Sequence, residues 1–326
     1  MWPFGGGIQG LWLGMYIFTF ALHAVFVSYV LAGSTYALVQ AVRRVDDPIA
    51  DRVRDHLPFM LGCGITAGVA PLLFIQLLYQ HQFYSANLIL GPRWGAVVPA
   101  LIVGFYALYI AKAKDKRRRP ALAVSVVCFL FVAWSWTEIH LLMEDEPAWR
   151  TMYATGTRLY GDAGVPPRLL LWLGAMTTLF AMVSVWWARG NERKRLAVIA
   201  LAGRVVAGIA AALLASGGGG IEGSAHGWLY LLIGALVIEA VGWVWTWRAP
   251  DSIGVLIATA AGTAALLAGA VVREAPRLAI MEDPHPAALE AGGLPTFIAT
   301  FVFGVIAIAW IAQVIRGGIK PRNDRE

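Results

Sequence analysis

Charge is scarce in this sequence: only 14% of its 326 residues are Asp, Glu, Lys or Arg, where a soluble domain carries roughly 25%. With 59% of the residues hydrophobic and a mean hydropathy of +0.65, too little polar surface remains to keep a folded core in water. A soluble globular domain is excluded and the membrane class comes first. Cysteine is scarcer still. Cys63 and Cys128 both lie inside apolar runs, so neither a disulfide framework nor a CxxC metal site is available. No CxxCH is present, so the chain attaches no c-type haem itself. The opening MWPFGGGIQG lacks a basic n-region and a small-residue cleavage site, and the first apolar run is expected to be kept. The net charge of +6 does not point to nucleic acid, because the basic residues sit in short loops between apolar runs.

What is abundant is apolar sequence in lengths that cross a bilayer, for which about 20 residues suffice. Such runs occupy 14–42, 57–80, 94–111, 120–143, 168–188, 196–216, 226–247, 253–272 and 294–315. The expected fold is all-α: a polytopic bundle of about nine transmembrane helices, with residues 1–326 forming one integral membrane domain. The loops set its direction. Nineteen basic residues fall on one side, among them Arg43, Arg44, Arg52, Arg54, the KAKDKRRR run 112–119 and the tail. Six fall on the other: Arg93, Arg150, Arg158, Arg168, Arg273 and Arg277. This asymmetry predicts a periplasmic N-terminus and a cytoplasmic C-terminus, in a multi-pass protein of a bacterial inner membrane. The two longer outer loops, 144–167 and 273–293, are too short for soluble domains and are expected to act as docking surfaces or lids. The Gly217–Gly220 run is expected to be a flexible or closely packed loop.

Ionisable groups inside a membrane are costly and therefore candidates for function. His23 interrupts the apolar run LGMYIFTFALHAVFVSYVLAG and lies 20 residues before Arg43, roughly 30 Å from the cytoplasmic edge. His140 lies 20 residues after Pro120, at a similar depth. His81 ends the second apolar run and His226 opens the seventh. Four of six histidines thus share an outer layer, with His56 cytoplasmic and His285 in an outer loop. Neutral imidazole ligates haem iron, so that layer suits a haem or a proton and quinone site. Single histidines at helix ends more often anchor the helix, and this applies to His81, His226 and His285. Glu138 and His140 are two apart on one helix and do not share a face. Arg204 and Glu239 fall deep in the sixth and seventh runs, where they can form an intramembrane charge pair, either structural or on a proton path.

Several segments resemble cytochrome bd quinol oxidase subunit I. They are FALHAVFVSYVLAG around His23, GITAGVAPLLFIQLLYQHQFYSANLILG in the second run, PPRLLLWLGAM opening the fifth, and VVREAPRLAIM, whose Glu274 and Arg277 form a Glu-x-x-Arg pair. The nine-helix topology is similar as well. The departures are as informative. Leucine, near Leu171, stands where the fifth helix of that family carries a haem-ligating histidine. WGAVVPALIVGFYALYIA lacks the family's glutamates, HGWLYLLIGALVIEAVGW lacks its haem-ligating methionine, and the quinol-binding loop is reduced to GGGGIEGSA.

The resemblance implies a membrane subunit of a respiratory electron-transfer complex that passes electrons between the quinone pool and a periplasmic c-type cytochrome or other redox subunit, without oxygen reduction. His23 would ligate haem b, with His140 or His81 as second axial ligand, in a chain holding one haem or two. Glu138, Glu274 and Arg277 would shape a quinone or proton-release site. The alternative is a haem-free bd-like anchor or assembly subunit of a larger complex. A transporter using Arg204 and Glu239 is a third reading, but the sequence shows no paired Gly/Pro-interrupted half-helices.

Overall fold

Charged and capping residues at the ends of the apolar runs decide where the helices start and stop. In the computed structural model, residues 8–113, 116–216, 226–280, 298–299, 301–306, 309–310 and 313 are described, and among them there is no strand. The elements are α1 (Ile8–Arg43), α2 (Pro48–Leu78), α3 (Gln80–Leu90), α4 (Pro92–Gly95), α5 (Val97–Lys112), α6 (Arg118–Leu142), α7 (Glu146–Thr155), α8 (Val165–Ser184), α9 (Asn191–Ser216), α10 (His226–Arg248) and α11 (Ser252–Ile280). Among the described residues eight helical stretches are long and apolar enough to cross a membrane, α4 and α5 counting as one. The protein is a multi-pass helical membrane protein. Of the expected ninth run, 294–315, the described residues are helical, and the rest lies outside the described residues, as do Gly217–Gly220 and His285.

Both α2 and α11 extend beyond their apolar runs. Asp47 caps α2 by accepting a hydrogen bond from the Ile49 amide at 2.9 Å, with Pro48 in the first turn, so Arg52, Arg54 and His56 stand on helix rather than in a loop. At the other end of the bundle α11 continues to Ile280 and carries Arg273, Glu274 and Arg277 on its last turns. The loop 144–167 contains α7, capped by the Asp145 carboxylate, which accepts from the Ala148 amide at 3.2 Å. Short helices α3 and α4 fill the turn between the second and third spans.

The chain forms two units, Met1–Pro284 and His285–Glu326. In the first, consecutive spans pack as hairpins: α1 with α2, α5 with α6, α8 with α9, and α10 with α11. α1 also touches α6, α8 and α11, so it runs through the middle of the unit. Tyr29, Leu57, Phe180 and Trp243 are fully buried in its core, whereas Ile102, Val205, Ile209 and Val237 are exposed on faces that lipid covers. In the second unit the described residues are helical.

Apolar burial does not drive helices together inside a lipid bilayer, so close backbone approach matters more there. At Gly174 of α8 an added Cβ would lie 2.6 Å from the Ala207 amide nitrogen and 2.7 Å from the Gly203 carbonyl oxygen of α9. Neither backbone atom can move alone. Gly174→Ala is expected to destabilise the protein by about 1–3 kcal/mol, the usual cost of overpacking. The thermal midpoint in detergent checks this against Gly208→Ala, where the new methyl meets nothing within 4 Å and no loss is expected, Ala being the better helix former.

Candidate functional site

At the end of the bundle that the charge pattern assigns to the outside, five elements bring buried and half-buried ionisable groups into one layer. α11 ends with Arg273, Glu274 and Arg277, three and four residues apart and so on neighbouring turns. Arg277, only 1% exposed, pairs with Glu274 at 3.0 Å and with Glu144, just past α6, at 3.2 Å. Its Nη2 donates to Nδ1 of His140 at 2.8 Å. Arg273 approaches the same imidazole, 3.0 Å from Nε2, and lies 3.7 Å from Glu274. Arg168, on the first turn of α8, stands 3.7 Å from Glu144. Tyr79, at the break between α2 and α3, donates its hydroxyl to Glu274 at 3.1 Å, and its ring faces the Arg277 guanidinium. Buried Tyr16 of α1 lies beside Arg277.

The layer is unbalanced in charge and partly unsatisfied. Three arginines (168, 273 and 277) face two glutamates (144 and 274). Nη1 of Arg273 is buried without a hydrogen-bond partner, because Glu274 at 3.7 Å is beyond bonding distance. The Arg273 guanidinium sits over Phe20 at 4.4 Å and Trp172 at 5.5 Å, which gives the layer an aromatic flank.

The residues singled out from the sequence separate into distinct surroundings. His140, Glu274 and Arg277 meet in the layer just described. Glu138, 2% exposed, points away from it: it pairs with Arg93 of α4 and accepts from Trp134 Nε1 at 2.6 Å. Between the two, the rings of Trp94, Trp136 and His140 follow one another at centroid spacings of 5.0 and 5.5 Å. His81, exposed on α3, packs 5.7 Å from the Trp149 ring of α7. His226 is the exposed first residue of α10. Arg204 and Glu239 join α9 to α10 at 2.7 Å.

His23 lies between α1 and α2. Its Nδ1 is 2.9 Å from the Gly64 carbonyl oxygen. A carbonyl only accepts, so Nδ1 carries the proton and Nε2 keeps its lone pair. Gly68 makes room for the ring: a Cβ there would lie 2.7 Å from Cε1. A carbonyl-fixed tautomer with a free Nε2 is the arrangement of a metal-ligating imidazole, so His23 fits a haem ligand. His140 fits less well, since guanidinium donors stand at both of its ring nitrogens and its one lone pair goes to an arginine. Among the described residues no group of three or more His, Cys, Asp and Glu side chains is placed to hold a metal ion.

Glu144, Arg168, Arg273, Tyr16 and Tyr79 escaped the sequence reading, as did Arg93 as partner of Glu138. A signal for the three arginines among them was nonetheless there. Of the six basic residues that the charge pattern assigns to the outside, Arg93, Arg168, Arg273 and Arg277 pair with buried or half-buried glutamates. Beside the layer, Tyr160 donates to Asp145 at 2.8 Å and ties the loop after α7 to its cap. Burial, and then that hydrogen bond to the carboxylate, hold the Tyr160 phenol well above the usual tyrosine range. No protein-family model matches the chain, and no curated protein matches it.

Proposed function

We propose that this chain is the membrane subunit of a respiratory electron-transfer complex of a bacterial inner membrane, exchanging electrons between the quinone pool and a periplasmic c-type cytochrome or other redox subunit, without reducing oxygen. The observation that carries this reading is the buried outer layer in which His140 meets Arg273 and Arg277 beside Glu274. A quinone headgroup needs donors on its carbonyl oxygens and nearby acceptors for the protons that accompany its redox change. Arg273 and Arg277 are such donors, the Glu274 and Glu144 carboxylates are acceptors, and Phe20 and Trp172 offer ring faces. The excess arginine charge favours an electron-rich oxygen over a neutral one. Glu138, paired with Arg93 on another face of α6, stands closer to proton release than to the headgroup.

His23 would hold the iron of haem b through Nε2, and the haem supplies one-electron transfer when bound. Gly64 fixes the tautomer and Gly68 the position of the ring. His140 serves the arginine layer, and His81, on α3, is the remaining candidate that would hold the group from a second side chain.

The purified full-length protein is expected to show a b-type α-band in its reduced-minus-oxidised visible spectrum. His23→Ala should abolish that band while leaving the helical circular dichroism intact. An intact wild-type protein with no haem band would overturn the redox reading in favour of a haem-free anchor.

A further inference from the structure

At the opposite end of the bundle, the end rich in basic residues, a cleft of about 630 Å³ opens between the start of α2 and the turn from α8 into α9. It is lined by Arg52, His56, Trp187, Arg189, Asn191 and Glu192. We propose that this cleft binds the phosphate-bearing headgroup of an anionic glycerophospholipid.

Three features of the cleft converge. The first is its donor set. Arg52 is held in place by donating to the Trp187 carbonyl at 3.1 Å, with its guanidinium 5.3 Å from the Trp187 ring centroid. His56 has its Nδ1 engaged with the Tyr29 hydroxyl at 3.1 Å, which leaves Nε2 for the cleft. Arg189 is exposed at the rim. The first turn of α9, a helix of 26 residues, adds the positive end of its dipole. Glu192 offsets part of this charge, pairing with Arg52 at 3.4 Å and accepting from the Arg189 amide at 3.3 Å. Two arginines against one glutamate leave a net positive cleft.

The second observation is the depth of the cleft. Along one face of α2, Arg52 and His56 are followed one turn later by Phe59, 72% exposed. On the other wall Trp186, 56% exposed, adjoins Trp187. Exposed rings therefore flank the polar donors, as suits a site that takes a phosphate at the headgroup level beside acyl chains. The third is the size of the opening, which exceeds what an inorganic phosphate would fill. A basic cleft between spans at the membrane surface is the kind of place where anionic headgroups bind. A free phosphate ion would use the same donors but gain nothing from Phe59 and Trp186.

The test is native mass spectrometry of the full-length protein in detergent, titrated with dioleoyl phosphatidylglycerol, dioleoyl phosphatidylcholine or inorganic phosphate. Saturable phosphatidylglycerol binding is expected, stronger than phosphatidylcholine binding and not displaced by millimolar phosphate. Arg52→Gln/Arg189→Gln should weaken it about 10- to 30-fold, at roughly 1 kcal/mol per basic residue. Arg43→Gln/Arg44→Gln removes the same formal charge from exposed positions outside the cleft and should leave binding within about twofold. Glu192→Gln should strengthen it. Equal binding of both lipids, or equal losses in the two double variants, would overturn the proposal. Full displacement by phosphate would instead make this a pocket for free anions. The unfolding midpoint of each variant without lipid shows whether it is folded. Should Arg52→Gln/Arg189→Gln not fold, the same comparison is read from Arg189→Gln and Glu192→Gln, whose shifts must have opposite signs.

Discussion

Arg277→Met is expected to weaken binding of a short-chain quinone such as decylubiquinone by about 10- to 100-fold and to lower the stability of the protein by about 3 kcal/mol. The affinity range follows from losing a charge-assisted hydrogen bond worth about 1.5–3 kcal/mol. The stability figure follows from the pairs that Arg277 leaves behind. Breaking a buried ion pair from one side costs about 3–5 kcal/mol, because the partner charge stays buried. Here the lower end applies, since Arg273 and Arg168 remain 3.7 Å from Glu274 and Glu144. Glu274→Gln/Arg277→Met distinguishes the two effects. It removes the stranded carboxylate and should recover part of the thermal midpoint, yet it restores no donor to the quinone oxygen, and affinity should stay low. Recovery of both together would mean that Arg277 acts on the quinone only through the fold. Unchanged quinone affinity in the single variant would remove this layer from the proposed site.

The same layer shows what the sequence reveals and what it hides. Run length alone located the spans, because a bilayer demands about 20 apolar residues whatever their packing. The Glu-x-x-Arg spacing of Glu274 and Arg277 was legible too, and the two side chains do pair along one helix. Arg273 was hidden by the same logic. Charged residues at the end of an apolar run read as loop, but α11 carries them inward, where Arg273 finds His140 from a helix 133 residues away in sequence. Helix rotation decides such meetings, and no single-helix pattern fixes rotation. The separation of Glu138 from His140 was foreseeable from helical geometry, whereas the choice of Arg93 as its partner was not. The early start of α2 depended on Asp47, a cap that signals a helix N-terminus only when the polar residues after it are allowed to be helical. That extension puts Arg52 and His56 on one helical wall of the basic cleft.

Arg204 and Glu239 lead to the second large effect. Glu239 is completely buried, and both of its oxygens are engaged: Oε2 by Arg204 at 2.7 and 3.0 Å, Oε1 by Trp243 Nε1 at 3.2 Å. A carboxylate so occupied suits a clamp between α9 and α10 better than a relay that must take up and release protons. Glu239→Leu strands the Arg204 guanidinium in the bilayer and should cost about 3–5 kcal/mol, read as a large fall in thermal midpoint or loss of the protein from the membrane. Arg204→Met/Glu239→Leu leaves no buried charge, and replacing a buried pair by apolar residues is often neutral or stabilising. The double variant should therefore regain most of the midpoint, while quinone affinity and any haem band remain those of the wild type. A double variant that is stable but has lost either would place this pair on the path of protons or electrons instead. The pair lies apart from the outer layer, and its side chains bond to none of the residues there. A clamp predicts a loss confined to stability, and the double variant reads stability and function separately.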